Sequence, residues 1–303
     1  MRIDEILAAA EGPVFSFEFF PPKTPQGEET LRTSLEALRS LGPDFASVTY
    51  GAGGTTRDRT VEITKWIKQE LGIEAMAHLS CVGSSREELH GILDDIESAG
   101  IDNVLALRGD PPRGDAEWRP HPEGLSYSTE LAELISSRYS FCVGAACFPE
   151  VHPDAPDLAH DLRFLREKVR SGVSFLITQM FFDNELYFRF VEEARSAGID
   201  VPIIPGVMPI TDVRQIKTIT GMCGATIPQA LLDELEVRAE DPDAVLQLGA
   251  SYATLQCAEL LARGAPGIHF YTLNRSPGTR AILAALKLLR PWVRREVVRT
   301  APA

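Results

Sequence analysis

The sequence predicts a single-domain (β/α)8 TIM barrel, an α/β fold in which parallel strands alternate with helices. Short apolar runs rich in β-branched and aromatic residues alternate along the chain with amphipathic segments, which is typical of parallel strands covered by helices. Eight such units fill about 290 residues without a linker, the usual size of this barrel. We therefore predict one domain over residues 1–303. A doubly wound open sheet is the alternative arrangement of the same units.

Eight runs have the length and composition of buried strands. The first is stopped by Pro21-Pro22, because proline cannot continue a ladder of backbone hydrogen bonds. Gln179 interrupts the otherwise apolar sixth run. The predicted strands are Val14–Phe20, Phe45–Tyr50, Glu74–Cys81, Asn103–Leu107, Phe141–Phe148, Ser174–Phe182, Pro202–Pro209 and Gly267–Leu273.

Helices are predicted between the strands from apolar residues at helical spacing, such as Leu31, Leu35 and Leu38. Most of these segments are followed by a glycine, which is typical of a helix C-terminus, and Ser84 or Ser85 caps one of them. The predicted helices cover residues 1–11, 28–40, 57–71, 84–99, 126–138, 158–171, 185–197, 211–220, two segments within 226–263, and 277–289. A C-terminal tail follows from residue 290.

The composition argues against two broad classes of partner. Acidic residues outnumber basic ones by 43 to 30, giving a formal charge of −13, whereas a nucleic-acid or anionic-membrane binder needs a basic face. A local basic pocket for an anionic ligand is compatible with this charge. No apolar stretch approaches the roughly 20 residues of a membrane span. No signal peptide is apparent, and the odd number of cysteines without a C-x-x-C pair predicts reduced thiols in a cytoplasmic protein.

Glu18 is a single carboxylate inside the apolar run Phe15–Phe20, close to the predicted C-terminal end of the first strand. Burial disfavours the charged form of a carboxylate and raises its pKa. A glutamate with a raised pKa is a proton donor near neutral pH, so we predict a catalytic acid at this position. The alternative is a structural carboxylate that pairs with a buried lysine or arginine.

Polar residues occur at the ends of several other predicted strands as well. In (β/α)8 barrels the reacting groups come from the C-terminal ends of the strands, so these residues should converge on one face. Each alone has an ordinary structural explanation, but their convergence predicts a functional site. The residues are Glu18, Thr49, His78, Arg108, Asp110, His152, Gln179, Asn274 and Arg275.

A metal-dependent hydrolase is the alternative from another class of enzyme. The ligand types are present in Glu18, His78, Asp110 and His152. These residues come from separate units, and the sequence contains no His-x-His or His-Glu-x-x-His pair, so we predict no metal site. A serine hydrolase would need a Gly-x-Ser-x-Gly motif, which is missing. The loop that begins at Gly51 matches a dinucleotide-binding fingerprint only in part, because Thr56 replaces the third glycine.

Five blocks of the sequence, in the same order and at similar spacing from residue 14 to residue 290, resemble the methylenetetrahydrofolate reductase family. The blocks are Phe17–Lys23, Ser47–Ala52, Arg108–Asp110, Ile177–Gln179 and Phe270–Arg275. The resemblance is to the bacterial, single-domain, FAD-dependent type. Because five blocks match together, the resemblance is far more specific than any single motif above.

The resemblance implies a flavin-containing barrel that reduces 5,10-methylenetetrahydrofolate to 5-methyltetrahydrofolate with NADH or NADPH. Hydride would pass from nicotinamide to FAD, and folate would then take the place of nicotinamide against the flavin. The resemblance also implies a homo-oligomer that supplies methyl groups for methionine synthesis, without the second domain through which longer members respond to S-adenosylmethionine. The preferred nicotinamide stays open, because no Rossmann acidic residue reads its ribose.

Residue roles are carried across from the family by matching position. Glu18 would be the general acid that protonates N10 of the folate, so that the five-membered ring opens to an iminium at N5. Asp110 would lie near the flavin and the pterin, where its charge tunes the flavin and favours the cationic iminium. The folate-binding positions are Thr49, Gln179, Gln215 and Arg275, and the first two would also contact nicotinamide. The FAD-binding positions are Thr49, Tyr50, Ala52, His78, Arg108, Gly109, Asp110, Tyr127, Ser128, Phe148, His152, Asp161 and Lys168.

Four positions depart from the family pattern. Phe148 stands where tyrosine is common, and Phe164 stands where asparagine or histidine is common. Glu167 replaces an arginine of some members, and Ile219 replaces an aromatic residue that packs on the bound ligand in some. The first three lie on the FAD side, so a flavin-free enzyme that transfers hydride directly to folate is an alternative. A non-catalytic pterin or flavin carrier is another.

Overall fold

The computed structural model describes residues 1–50, 57–109 and 120–293 of the chain. The strands in these residues are β1 (Val14–Phe19), β2 (Phe45–Val48), β3 (Glu74–Ser80), β4 (Asn103–Leu107), β5 (Cys142–Cys147), β6 (Val173–Thr178), β7 (Ile203–Ile204), β8 (Gly206–Val207) and β9 (Gly267–Tyr271). The helices are α1 (Ile3–Ala9), α2 (Pro25–Arg39), α3 (Arg57–Gln69), α4 (Arg86–Ser98), α5 (Ser128–Arg138), α6 (Leu158–Arg170), α7 (Asn184–Ser196), α8 (Val213–Cys223), α9 (Gln229–Val237), α10 (Pro242–Ala262) and α11 (Pro277–Leu289).

The strands form one parallel sheet in the order β7-β6-β5-β4-β3-β2-β1-β9-β8. Only Pro205 separates β7 from β8 along the chain. Because β7 pairs with β6 and β8 pairs with β9, the two edges of the sheet meet in one continuous stretch of chain and close a barrel. The predicted (β/α)8 barrel is confirmed, and the open doubly wound sheet is excluded.

The seventh barrel strand differs from its prediction as a single strand over Pro202–Pro209. The structure has two short strands there, because Pro205 has no N–H to donate to a ladder. Its carbonyl instead accepts a hydrogen bond from the His269 N–H at 3.0 Å. The chain therefore changes its pairing partner from β6 to β9 at this residue.

The core of the protein has two layers. Outward-facing side chains of the strands, such as Phe17 and Phe19, pack beneath the helices. A separate cluster fills the inside of the barrel and includes Phe45 and Phe175. Helix α1 closes the barrel at the N-terminal ends of the strands, where Ile3 belongs to the inner cluster and is fully buried.

Polar contacts hold α1 on this closed end, which we call the barrel floor. The Met1 amine and the Lys68 ammonium both pair with Glu74, at 2.7 and 2.9 Å. The buried Asn103 carboxamide accepts a hydrogen bond from the Ile3 N–H at 2.8 Å and donates one to the Met1 carbonyl at 3.1 Å. The floor is therefore sealed by both apolar packing and hydrogen bonds.

Two predictions from the sequence concern membrane-spanning segments and the state of the cysteines. In the part of the chain that the structure describes, no helix is long and apolar enough to cross a membrane. The five cysteines all lie in the described residues as free thiols, and four of them are buried, with Cys223 intermediate. That all 303 residues form one domain stays a prediction, because the C-terminal tail after residue 293 lies outside the described residues.

We predict that Phe175→Ala lowers the free energy of unfolding by about 3–5 kcal/mol, because it leaves a cavity inside the barrel. Urea unfolding followed by circular dichroism measures this change. The control is Leu255→Ala, at a side chain that is 73% exposed, which should leave the stability nearly unchanged. Similar losses for both variants would contradict the assignment of Phe175 to the inner core.

Candidate active site

Glu18 lies at the open end of the barrel, which we call the mouth, on the inner side of β1. Since Phe17 and Phe19 pack outwards beneath the helices, the alternation of a strand turns Ser16 and Glu18 inwards. Glu18 is the last residue of β1 that pairs with β9, where it lies opposite Tyr271. Its side chain is 19% exposed. The carboxylate is therefore largely buried, but it is accessible from the mouth.

Two histidines flank the Glu18 carboxylate inside the barrel. His269 Nε2 lies 3.4 Å and His78 Nε2 lies 3.5 Å from Glu18 Oε2. The other ring nitrogen of His269, Nδ1, lies 2.8 Å from the Ser16 hydroxyl. If that hydroxyl donates to Nδ1, the imidazole proton stays on Nε2, where it faces the carboxylate. Ser16, His269 and Glu18 thus form a chain of polar groups from the barrel interior to the mouth.

The surroundings of Glu18 act on its pKa in opposite directions. Burial raises the pKa, as the sequence predicted, but the hydrogen bond with His269 and the attraction of the His78 and His269 rings in their protonated forms lower it. The pKa of Glu18 therefore lies below its ordinary value, and the predicted raised pKa is wrong in this structure. Among the residues that the structure describes, the bases beside Glu18 are the imidazoles of His78 and His269, and not the lysine or arginine of the sequence alternative.

His78 is the second unusual titratable group inside the barrel. It is 4% exposed, and its Nε2 has no hydrogen-bond partner among the described residues. Burial lowers the pKa of His78 to about 4, although Glu18 acts in the opposite direction. His78 is therefore a neutral imidazole at pH 7. The buried hydroxyl of Ser47 likewise lacks a partner in the described part of the chain, and such atoms commonly mark a water or ligand position.

A pair of cationic side chains lies beyond β4 and β5, on the predicted FAD side. Arg108 pairs with Asp154 at 2.8 Å. Lys168 extends from α6 back to the barrel, where it donates a hydrogen bond to the Ala146 carbonyl at 3.1 Å. Burial lowers the pKa of Lys168. Both cations keep further N–H groups beyond these contacts, since guanidinium has five and ammonium three.

The loop after β5 is fastened to α6. The His152 N–H donates a hydrogen bond to Asp161 at 2.8 Å, and the His152 ring meets Phe148 edge-on with centroids 4.5 Å apart. Val151 between them has φ 71°, a left-handed conformation that a β-branched residue rarely adopts. Four predicted FAD positions, Phe148, His152, Asp161 and Lys168, are therefore brought together by one strand end and one helix.

Gly109 follows Arg108 in a turn that only glycine fits. Its φ is 86°, and a Cβ at this position would overlap with the Ser80 hydroxyl. That hydroxyl donates a hydrogen bond to the Arg108 carbonyl at 3.0 Å, which fixes the end of β4 against β3. The next predicted residue, Asp110, and the predicted FAD position Ala52 both lie outside the described residues.

The remaining predicted FAD positions are spread around the mouth. Thr49 directly follows β2, and its N–H donates a hydrogen bond to the Phe19 carbonyl at 2.8 Å. Tyr50 packs against the outer core. Tyr127 and Ser128 mark the start of α5, where the Tyr127 side chain is 63% exposed. Their contact with a flavin stays a prediction.

Three of the four predicted folate positions follow the barrel strands β6, β8 and β9. Gln179 directly follows β6, which ends at Thr178 and not at the predicted Phe182. Gln215 lies in the first turn of α8, and Arg275 lies exposed after β9. Gln215 lines a small pocket with Leu273 and Ile219, the position that departs from the family pattern. The structure thus places these three residues after neighbouring barrel strands, whereas the fourth predicted folate position, Thr49, follows β2.

Sequence reasoning gave no role to two aromatic residues of β9. His269 bonds to Ser16 as described above, and the Tyr271 hydroxyl donates a hydrogen bond to the Thr178 carbonyl at 2.7 Å. To reach it, the Tyr271 ring crosses Gly206, where a Cβ would overlap with the ring. Burial raises the pKa of Tyr271 well above its ordinary value, so the hydroxyl stays neutral. The signal in the sequence that could have identified His269 is an imidazole inside an apolar run.

The chain matches a known family over nearly its whole length. Residues 2–287 match the family model of methylenetetrahydrofolate reductase. The chain belongs to this family. It is 40% identical over 285 residues to the 5,10-methylenetetrahydrofolate reductase of Escherichia coli strain K12, covering 94% of each chain. It is 39% identical to that of Pectobacterium carotovorum, covering 97% of this chain and 96% of the relative.

Plant members of the methylenetetrahydrofolate reductase family are longer. The methylenetetrahydrofolate reductase (NADH) 1 of Arabidopsis thaliana is 38% identical over 300 residues, which are 95% of this chain and 51% of the relative. The chain thus spans about half the length of the plant relatives that it matches.

The fold is also found in a solved structure of low sequence identity. An uncharacterised protein from Clostridium thermocellum, which binds two copies of 5-methyl-5,6,7,8-tetrahydrofolic acid, superposes with a TM-score of 0.66. It covers 94% of this chain and 98% of its own, at 15% identity. This likeness supports the barrel fold.

Within the described residues, no group of three histidine, cysteine or acidic side chains is placed to hold a metal ion.

We predict that acid destabilises the protein through His78. Its pKa is about 4 in the fold and 6.5 ordinarily, so between these values the unfolded chain binds a proton that the fold does not. This contribution is fully present above pH 6.5 and is lost as the pH falls towards 4, by about 3 kcal/mol. In His78→Asn the stability lost on acidification should shrink by that amount, as measured by urea unfolding at several pH values.

The control for this prediction is His160→Asn, at a histidine whose ion pair with Asp157 is exposed, and it should change the acid response far less than His78→Asn does. The same acid response in all three proteins would show that His78 is not buried as a neutral imidazole.

Proposed function

We propose that this chain reduces 5,10-methylenetetrahydrofolate to 5-methyltetrahydrofolate with hydride from NADH or NADPH. The observation that carries the proposal is the Glu18 carboxylate, hydrogen-bonded from below by His269 and open to the mouth of a barrel. Two bacterial relatives that are covered almost completely bear the name of this reaction, which supports the same activity here. The plant relatives are named as NADH enzymes, which supports a nicotinamide donor.

Glu18 would act as the general acid of this reaction. It donates its proton to N10 of the folate, and the electron pair of the bond between N10 and the methylene carbon moves to N10. The ring opens to a cationic iminium at N5, and hydride then adds to the methylene carbon to give the methyl group. The negative charge of Asp110 would favour the iminium, if that residue lies where the family resemblance implies.

Because the pKa of Glu18 is lowered, the carboxylate is charged before the folate binds. It must therefore gain a proton after binding, before it can act as an acid. A flat ring packed over the mouth removes water from the carboxylate and raises its pKa. His269 faces the same oxygen, and as an imidazolium that donates its Nδ1–H to the Ser16 hydroxyl it would pass its Nε2 proton to Glu18 and become neutral. In this proposal, substrate binding itself converts a charged glutamate into an acid.

We propose FAD as the cofactor, because the residues on its predicted side fit the group. Arg108 and Lys168 offer positive charge for a diphosphate, and the orphaned Nε2 of buried His78 offers a polar contact at the mouth. The bound flavin would supply a reversible hydride acceptor, so that nicotinamide and folate react in turn at one place. The residues that would hold it are Thr49, Tyr50, Ala52, His78, Arg108, Gly109, Asp110, Tyr127, Ser128, Phe148, His152, Asp161 and Lys168.

The folate itself would be bound chiefly by residues that follow β6, β8 and β9. Gln179 already accepts a hydrogen bond from the Met180 N–H at 2.9 Å, so its side-chain nitrogen is the group it offers to the pterin. Gln215 would contact the same ligand. Arg275 is exposed and suits the carboxylate of the glutamate tail. Thr49 and Gln179 would serve nicotinamide in the other half of the reaction.

A flavin-free enzyme with the same substrate is the competing proposal. It is favoured by the aromatic Phe148, which packs on His152, and by Phe164, which is 52% exposed beside Arg163.

A cytoplasmic location and a homo-oligomeric state are also part of the proposed function. The five free thiols support the first, and exposed apolar side chains such as Leu288 support the second. The product would supply methyl groups for methionine synthesis.

We predict that the purified protein carries a yellow flavin that NADH or NADPH bleaches without folate. Arg108→Ala should bind the flavin more weakly, because it loses a cation near the diphosphate, and equilibrium dialysis measures the change. Arg39→Ala, at an arginine on the outside of α2, is the control. A colourless protein that still reduces folate would overturn FAD in favour of direct transfer. A colourless protein without folate reduction would overturn the proposed function.

We predict that Glu18→Gln lowers folate reduction by about 100-fold or more, the usual contribution of a general acid. The rate of NADH oxidation with an artificial electron acceptor should stay close to that of the wild type, because this half-reaction needs no acid. Stopped-flow absorbance separates the two steps. Glu29→Gln, at an exposed glutamate of α2, should change neither rate. Equal losses in both steps would make Glu18 a structural residue.

A further inference from the structure

The buried side chain of Asn274 completes the pairing between the first and last strands. The main-chain ladder of β1 with β9 ends at Glu18 and Tyr271. Two residues later the Phe20 N–H donates a hydrogen bond to Asn274 Oδ1 at 2.9 Å, and Asn274 Nδ2 donates one to the Phe20 carbonyl at 2.8 Å. The carboxamide therefore takes the place of a peptide group of a neighbouring strand.

The backbone explains why a side chain has to take this place. Leu273 and Asn274 have φ of 51° and 57°, so the chain turns away from β1 in the left-handed region. Asparagine is among the few residues other than glycine that adopt this region readily. Position 274 thus has two requirements at once, a left-handed backbone and a group that both donates and accepts, and asparagine meets both.

The neighbours of Asn274 are arranged to keep it in place. The Thr272 hydroxyl donates a hydrogen bond to the Glu18 carbonyl at 2.6 Å and accepts one from the Asn274 N–H at 3.2 Å. Ser34 of α2 donates a hydrogen bond to the Asn274 carbonyl at 2.8 Å. Asn274 is 4% exposed, so none of these bonds competes directly with bulk water.

The segments that this side chain joins both carry residues of the mouth. Phe20 comes two residues after Glu18, and its ring is 40% exposed. Arg275 follows Asn274 directly and is exposed. One carboxamide therefore fixes the position of the acid's strand end, of an accessible aromatic ring and of a guanidinium relative to one another.

We propose that Asn274 is a positioning residue for the folate. It holds the strand end after Glu18 and the turn before Arg275 at a fixed spacing, which suits a ligand with flat rings and a carboxylate tail. This inference rests on the proposed function. It goes beyond that function because both polar atoms of the buried Asn274 carboxamide are bonded to Phe20, so that Asn274 would act through Phe20 and Arg275.

The test compares Asn274→Gly with Asn274→Ala in the flavin-loaded full chain. Glycine keeps the left-handed backbone and removes only the carboxamide, whereas alanine disfavours the backbone as well. We expect both variants to lower kcat/KM for methylenetetrahydrofolate at least about tenfold, as misplacement of binding groups does. The rate of NADH oxidation with an artificial acceptor should stay near the wild-type value. Hydrogen exchange should show loss of protection at the Phe20 amide.

The matched control is Asn103→Ala, which removes a fully buried carboxamide with similar main-chain bonds at the barrel floor. It should lower the thermal stability of the protein without a selective loss in the folate step. Wild-type folate kinetics in Asn274→Gly would overturn the proposal. Equal losses in both half-reactions of Asn274→Gly would also overturn it, because they indicate a structural role alone.

Failure of the proposed function would be recognised separately. If the wild type binds 5-methyltetrahydrofolate in calorimetry but reduces no folate, the proposed reaction fails, and the affinities of the Asn274 variants for this ligand decide the positioning role. If the wild type neither binds nor reduces folate, both the proposed function and the positioning role are overturned.

Discussion

The parallel pairing of β1 with β9 is the interaction on which the candidate site depends. It joins two stretches from opposite ends of the chain and places Ser16 opposite His269 in register. The contact of Glu18 with His269 and that of His269 with Ser16 both follow from this register. A slip by one residue would turn the imidazole outwards and leave a buried carboxylate without its partner. The register is in turn limited at one end by the Pro205 carbonyl, which accepts the His269 N–H.

The inside of the barrel changes from apolar at the floor to polar near the mouth. Phe45 and Phe175 fill the lower part, whereas Ser47, His78 and His269 lie above them, each at most 4% exposed. A layer of buried polar groups costs stability unless it is fully hydrogen-bonded, and two of its atoms lack partners among the described residues. Such a layer is typical of a site where binding completes the hydrogen bonds that folding leaves open.

The sequence allowed the prediction of most strands and helices, because each strand is a short apolar run and most helices end at glycine. It failed at Pro205, since a break in a strand depends on which neighbours the two halves meet. It also failed on the pKa of Glu18. Composition around one residue indicates burial, but the opposing effect of His269 comes from a segment that is remote along the chain.

The residues of the candidate site also divide into those that could be predicted from the sequence and those that could not. The polar residues after the strands were predicted as a group from the barrel architecture, and the structure brings the described ones to one end. Tyr271 was missed because its function depends on crossing Gly206 to a third strand, a contact that no local pattern indicates. Asn274 was named only as a polar strand end. Its significance depends on two bonds to a segment more than two hundred residues away.

The seal at the barrel floor has a consequence for how protons move. Helix α1 closes that end with the buried Ile3 and with ionic contacts to Glu74, so exchange between the interior and bulk water is directed to the mouth. A ligand bound at the mouth would close this remaining route to bulk water. While the ligand is bound, Ser16, His269 and Glu18 share a fixed number of protons. These groups exchange protons with bulk water again only between the departure of one ligand and the arrival of the next.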